Sequence, residues 1–217
     1  LANPKVLMGF SDTSTLLSFL ALRGMVTFNG PSVMAGFAQT GSFPEAFERH
    51  VRSLLFEDSA EYEYEPFEWW VDGYPSWDDP EATGQTNEPN SSDGWRWLQG
   101  TGAVEGPLWG GCFEVLEMVK ATPFWPPQDF WDGRILFLET SELAPSPIWV
   151  RGWLRNYGMQ GVFDRAAALL IARPMHYEAS EKAELDDTIR AVVADEKVRL
   201  IRPQAATIAN PTSGTTR

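Results

Sequence analysis

The chain has 217 residues, of which 43% are hydrophobic, and a formal net charge of −13. This length allows one large domain or two small ones, and the acidic balance argues against nucleic acid and anionic membranes as partners. One cysteine, Cys112, permits no internal disulfide, which favours a reducing, cytoplasmic location. We find no apolar run of the roughly 18 residues that a membrane-spanning helix needs, and no signal peptide.

The first forty residues alternate between strand and helix patterns, which is typical of a parallel α/β unit. The predicted strand, helix and strand cover residues 6–10, 14–23 and 25–28. Ser11 lies between the first strand and the helix, where a catalytic serine could sit. Thr13, however, replaces the second glycine that a nucleophile elbow needs. We therefore expect Ser11, with Asp12 and Thr13, to cap the helix or form the turn before it.

Residues 57–106 are acidic, aromatic and rich in Gly, Pro, Asn and Ser, without a sustained helical or strand period. Disordered segments are poor in aromatic residues, so this composition favours a long ordered loop, which usually lines a binding surface. We predict a ligand-recognition surface over residues 62–97. Its candidate stacking residues are Trp69, Trp70, Trp77, Trp95 and Trp97. The alternative is that these rings cover the core, and we expect at least two of them to do so.

Regular patterns flank this segment. A capping box at residues 42–45 predicts a helix to about residue 56. After Gly106 the predicted elements are a glycine turn leading into an amphipathic helix, a buried strand over Ile135–Glu139, a helix beginning at Ser146, an apolar strand ending at Pro174, a helix over residues 180–196 and a last strand near residues 197–201. This alternation again favours an α/β fold.

Six segments, in order, resemble the LD-carboxypeptidase family of serine peptidases, and most closely its branch of microcin C immunity peptidases. They read NPKVLMGFSDTSTLL, VTFNGP, GPLWGGCFEVLE, GRILFLETSE, LRNYGMQGVFDR and IARPMHYEASEKAELDD. The resemblance implies the end of a flavodoxin-like parallel α/β domain followed by the family's C-terminal α/β domain. The implied divisions are residues 1–38 for the nucleophile-bearing domain, 39–106 for a connecting and specificity segment, and 107–217 for most of the C-terminal domain.

The resemblance implies amide hydrolysis by a Ser-Glu-His triad through an acyl-enzyme, without a cofactor. Its substrate would be a small peptide or an aminoacyl-nucleotide, and a homodimer is possible. The family's glutamate corresponds to Glu139, although Glu139 could simply end its strand or Glu142 could hold the role. We expect the Glu139 carboxylate to face a cleft shared with residues 9–13 and 29–31.

The other two triad members have no match in this chain. The family's nucleophile precedes its Asn-Pro-Lys motif, with which this chain nearly begins, so Ser11 is not its equivalent. Thr215 stands where the family has its histidine, and a threonine cannot act as a general base near neutral pH. His50 and His176 lie at other positions. We therefore expect this chain alone to be hydrolytically inactive; a non-catalytic relative that binds peptide or aminoacyl ligands, or a partial gene product that folds poorly, are the alternatives.

The remaining candidates have ordinary interpretations. Cys112 precedes an apolar helix, where a thiolate could be stabilised, but a buried small hydrophobe is the more common role. The carboxylate pairs at residues 78–79 and 186–187 are expected to be solvated. The sequence has neither a Cys or His cluster nor a phosphate-binding loop, so we expect no metal and no cofactor.

Overall fold

The computed structural model describes residues 3, 5–57, 62–194 and 199–202. The strands are β1 (Met8–Gly9), β2 (Phe28–Asn29), β3 (Trp69–Val71), β4 (Pro89–Ser91), β5 (Arg96–Gln99), β6 (Leu108–Cys112), β7 (Ile135–Glu139), β8 (Ala168–Ile171) and β9 (Arg199–Arg202). The helices are α1 (Ser14–Ala21), α2 (Glu45–Leu55), α3 (Phe113–Val119), α4 (Pro147–Met159), α5 (Val162–Arg165) and α6 (Ala179–Val193). Helices and strands alternate along most of the chain, so the predicted α/β class is confirmed.

The main sheet has five strands in the order β5-β9-β8-β7-β6. The strands from β6 to β9 are parallel, and β5 pairs antiparallel with β9 at one edge. Helices connect the parallel strands, as the geometry of parallel pairing requires. Two smaller sheets lie outside it, namely the parallel pair β1–β2 and the antiparallel pair β3–β4.

Apolar side chains cover both faces of the main sheet, which is the usual state of a parallel sheet. The larger core lies on the side of α4 and α6, where Leu136, Leu154 and Ile189 are fully buried. The smaller core lies on the opposite face around Ile135 and Leu170. Within the ranges that the structure describes, none of the helices is long and apolar enough to cross a membrane.

The glycine turn predicted after Gly106 is wrong, because residues 108–112 form the edge strand β6. Glycine is needed at positions 110 and 111 because other backbone and side-chain atoms lie too close for a Cβ atom. A Cβ on Gly110 would lie 1.7 Å from the Phe137 carbonyl oxygen, and one on Gly111 would lie 2.4 Å from the Ser14 Oγ. The two glycines therefore let β6 pack directly against β7 and against the start of α1.

The long loop predicted over residues 57–106 is wrong in part, because it contains β3, β4 and β5. Strand β5 joins the main sheet, so this segment contributes to the C-terminal sheet as well as connecting to it. The pair at residues 78–79 is exposed as expected, whereas the pair at residues 186–187 differs in one member. Asp186 is buried and forms an ion pair with Arg96, whereas Asp187 is exposed beside Arg190.

Candidate active site

The carboxyl ends of β6 and β7 meet residues from the N-terminal unit, which comprises β1, α1, β2 and α2, at one edge of the molecule. Cys112 and Glu139, the last residues of β6 and β7, are register partners. β1 and β2 end at Gly9 and Asn29, and the side chain of Asn29 reaches the Glu139 carboxylate. The carboxyl edge of a parallel sheet is where open α/β proteins bind their ligands.

Glu139 contacts both segments that were predicted to lie beside it, residues 9–13 through Ser11 and residues 29–31 through Asn29. Burial raises the pKa of its carboxyl group, and the negative charge of Glu114 acts in the same direction. Hydrogen bonds from the Asn29 side chain and the Ser11 backbone N–H oppose this shift. Within the described part of the chain, the buried Oε1 of Glu139 has no hydrogen-bond partner. The predicted proximity of Glu139 to residues 9–13 and 29–31 is therefore found, its catalytic role stays a prediction, and its carboxylate has one oxygen available to a further group.

A second carboxylate supports the segment that follows Glu139. The Glu114 Oε1 accepts hydrogen bonds from the Ser141 backbone N–H at 3.0 Å and from the Ser141 hydroxyl at 2.6 Å. Glu114 therefore anchors the turn after β7. Sequence reasoning missed Glu114, which nothing local marks, whereas Asn29 lies within the range 29–31 that was predicted to lie beside Glu139.

Cys112 is a buried thiol and not a reactive one. It is 2% exposed, and burial, with the nearby charges of Glu114 and Glu139, raises its pKa to about 11. Its backbone N–H donates to the Ser14 Oγ at 3.0 Å, which ties β6 to α1. This agrees with the interpretation of Cys112 as a small buried residue.

Ser11 does not cap α1, but Ser11–Thr13 form the 3₁₀ turn before it, which is the second of the two roles predicted for Ser11. α1 begins at Ser14, and neither its N-cap residue Thr13 nor Phe10, at the start of the preceding 3₁₀ turn, makes a side-chain capping bond. Ser11 has a φ of 53°, a conformation that is uncommon outside glycine. Its contribution to the site is its backbone N–H, which points to Glu139.

The predicted tryptophans divide into three groups. Trp69, Trp70 and Trp95 line a cavity of about 370 Å³, which we call the tryptophan pocket. Its other lining residues are Phe67, Val71, Asp72, Ser92, Arg173, Pro174 and Met175. Trp77 is 49% exposed and pairs with the Tyr74 ring, whose hydroxyl pKa is raised by burial and by the charges of Glu142 and Glu139. Trp97 packs on the smaller core.

The sequence and the fold both match known proteins. Residues 105–210 match the LD-carboxypeptidase C-terminal domain. Residues 105–210 therefore belong to the LD-carboxypeptidase C-terminal domain family. It is 26% identical over 175 residues to the microcin C7 self-immunity protein MccF of Escherichia coli, an alignment that covers 80% of this chain and 49% of that protein. The chain spans about half the length of the curated relatives it matches.

Solved structures of MccF and of an MccF-like protein share this fold. An MccF-like protein from Streptococcus pneumoniae in complex with AMP superposes with a TM-score of 0.77 at 23% identity, covering 97% of this chain and 64% of that one. MccF in complex with glutamyl sulfamoyl guanosine gives a TM-score of 0.74 at 22% identity, with coverage of 97% and 62%.

Neither histidine of the chain contacts Glu139 in the part that the structure describes. The His50 Nδ1 lies 3.1 Å from the Tyr62 hydroxyl, and burial lowers the pKa of this imidazole. The His176 Nδ1 lies 3.1 Å from the Glu142 carbonyl oxygen, and its Nε2 lies 3.8 Å from Asp72. Thr215 lies outside the described residues. Among those residues, no group of three or more His, Cys, Asp and Glu is placed to hold a metal ion.

Proposed function

We propose that this chain is the glutamate-bearing part of an LD-carboxypeptidase-like serine hydrolase. Its substrate would be a small peptide or an aminoacyl-nucleotide, cleaved at an amide bond. The observation that carries the proposal is Glu139, a buried carboxylate at the carboxyl end of β7 with one oxygen left without a partner among the described residues. Glu142, the alternative from sequence, is exposed and is the weaker candidate.

Glu139 would act as the orienting carboxylate of a triad. A buried carboxylate that accepts an imidazole N–H holds one tautomer and stabilises the imidazolium that forms during acyl transfer. The raised pKa of Glu139 reflects burial without a cation, and an adjacent imidazolium would lower it again. The site is therefore suited to a histidine that approaches the free Oε1.

The tryptophans would supply substrate recognition. Trp69, Trp70 and Trp95 line one pocket, and the exposed Trp77 lies with Tyr74 on the side of Glu139 and Glu142. Stacking on an aromatic side chain contributes about 1–3 kcal/mol per base. Related proteins of this fold bind AMP and an aminoacyl sulfamoyl nucleoside, which suits this use of the indoles. Trp97 is better explained as part of the core.

A non-catalytic binding protein is the second candidate. The observation in its favour is that His50 pairs with Tyr62 and His176 with Glu142 and Asp72, so both imidazoles are engaged away from Glu139. In that case the same pocket would hold its ligand without cleavage.

The test is to purify residues 1–217 and to measure both binding and turnover of an L,D-tetrapeptide and an aminoacyl sulfamoyl adenylate. We expect binding of at least one ligand without turnover, since removing a triad residue costs about 10⁴–10⁶ in rate. Glu139→Ala and Glu142→Ala serve as the matched pair. Turnover lost only in Glu139→Ala would contradict the expected inactivity and turn attention to Ser11 and His176. The absence of binding and turnover with both ligands would overturn the proposed function.

A further inference from the structure

Arg173 forms a wall of the tryptophan pocket. It lies two residues beyond the carboxyl end of β8, the strand next to β7 in the sheet. The pocket therefore opens at the same edge of the sheet as Glu139. Asp72, which also lines the pocket, lies 3.8 Å from His176, and His176 in turn contacts the Glu142 carbonyl of the segment after β7.

The Arg173 guanidinium is stacked and partly desolvated. Its central carbon lies 4.6 Å from the centre of the Trp70 ring, and its Nη2 donates to the Ser92 hydroxyl at 3.1 Å. Burial lowers the pKa of Arg173, and the charge of Asp93 opposes that shift. A guanidinium has five N–H donors in a fixed plane, so one bond to Ser92 leaves most of its donor edge for other groups.

A second cation lies over the same ring. The Lys182 Nζ lies 5.6 Å from the centre of the Trp70 ring. Because Trp70 already contacts two cations, it is a poor site for a cationic ligand. Among the described residues, the lining holds one acid, Asp72, and one cation, Arg173. Because Asp72 faces His176, Arg173 is the charged group of the lining that can meet an anion.

We propose that the tryptophan pocket binds an oxyanion attached to an apolar or flat group. The Arg173 guanidinium pairs with the oxyanion, and the indoles of Trp69 and Trp95 pack against the attached group. Arg173 is then a specificity-determining residue. This inference rests on the proposed function in one respect, since it takes the bound group to be part of the substrate.

Two sources share this chemistry. One is the terminal carboxylate of a short peptide, and the other is the phosphate of a nucleotide. The guanidinium of an arginine can bind either a carboxylate or a phosphate through two parallel N–H···O hydrogen bonds. A cavity of about 370 Å³ is large enough for a residue-sized group and not for a folded partner.

The experiment measures binding to the full chain by calorimetry and by tryptophan fluorescence. Each anionic probe has a neutral counterpart: a tripeptide ending in D-alanine against its C-terminal amide, and AMP against adenosine. We expect at least one anionic probe to bind about tenfold more tightly than its counterpart, the usual effect of a charge-assisted hydrogen bond. The pair that shows the difference identifies the source.

Arg173→Gln should reduce that preference to within about twofold, whereas Arg173→Lys should keep part of it as a point charge. Arg165→Gln is the matched control, because Arg165 pairs with Asp132 on the surface, away from the pocket. Equal binding of the charged and neutral probes, or a preference that survives in Arg173→Gln, would overturn the inference. An Arg173-dependent preference, with neither binding nor turnover of the L,D-tetrapeptide and the aminoacyl sulfamoyl adenylate, would leave the pocket assigned and remove the proposed function alone.

Discussion

At the scale of single residues, burial of the Glu139 carboxylate lowers the stability of the fold and leaves one carboxylate oxygen available to a further group. Its carboxyl group is buried beside the negative charge of Glu114, so its pKa is raised above the ordinary value of 4.5. The folded protein therefore holds a proton on Glu139 at pH values where the unfolded chain has released it. By linkage, the contribution of Glu139 to stability is lost as the pH rises from that ordinary value through the raised pKa.

We predict that Glu139→Gln is more stable than the wild type at pH 7, by on the order of 1 kcal/mol, because glutamine carries no ionisation penalty. The difference should shrink towards pH 4, where the wild-type carboxyl is protonated in both states. Urea unfolding at pH 4, 5.5 and 7 measures this. Glu142→Gln is the exposed control and should change little. A Glu139→Gln variant that is less stable at pH 7 would show that Asn29 and Ser11 outweigh the cost of burial.

At the scale of elements, β6 depends on two residues that have no side chain. Its register with β7 brings Gly110 against the Phe137 backbone, and Gly111, with a φ of 144°, passes close to Ser14. Both contacts are made between elements far apart in sequence. The glycine pair therefore sets the distance between the sheet and α1, and with it the position of Ser11 relative to Glu139.

Gly110→Ala should destabilise the fold by about 3 kcal/mol or more, because its Cβ would overlap a backbone oxygen that cannot move aside. Gly152→Ala is the control. Gly152 lies within α4, and a Cβ added there would meet no atom within 4 Å, so alanine should stabilise the protein by about 0.5–1 kcal/mol. Thermal unfolding followed by circular dichroism compares the two. Near-equal stability of Gly110→Ala and the wild type would contradict the packing described for β6.

A different contact between elements is the ion pair of Arg96 and Asp186, which joins β5 to α6. Asp186 is 6% exposed at its side chain, so removing the cation that faces it is costly. We predict that Arg96→Met lowers the free energy of unfolding by about 2 kcal/mol, a value reduced because Arg96 is half exposed. Arg190→Met removes the exposed partner of Asp187 and should cost about 0.5 kcal/mol or less. Equal losses in the two variants would show that burial of Asp186 does not matter.

At the scale of the whole molecule, packing is uneven. The main sheet and the helices α4 and α6 contain most of the fully buried side chains. By contrast, α2 has no buried residue, and β1 and β2 have two residues each. An apolar cavity of about 520 Å³ lies between the N-terminal unit and the sheet, lined in part by Leu17, Leu54 and Phe137.

This unevenness predicts the order of hydrogen exchange. Amides of β7 and β8 should exchange only on global unfolding, whereas amides of α2 should exchange through local opening at much lower free energy. Native-state exchange in increasing denaturant, read by mass spectrometry, measures both. Protection of α2 equal to that of β7 would show that the cavity side is as tightly packed as the core.

The sequence by itself determined the α/β class, the strand over Ile135–Glu139, most helices of the C-terminal half and the candidate glutamate. These follow from local patterns, since apolar runs, helical periodicity and prolines act within a few residues. The resemblance of six short segments placed Glu139, because a strand end alone does not distinguish a catalytic carboxylate from an ordinary one.

Only the tertiary structure decided the rest, because those features depend on contacts between residues distant in sequence. The sequence pattern around Gly110 and Gly111 predicts a turn. Their close contacts with Phe137 and Ser14 show that they lie in a strand packed against β7 and α1. The sequence predicts a solvated Asp186, but the fold buries it in an ion pair with Arg96, which lies ninety residues away in the chain. In the same way, chain folding brings Arg173 to Trp70, a pairing that has no local signal.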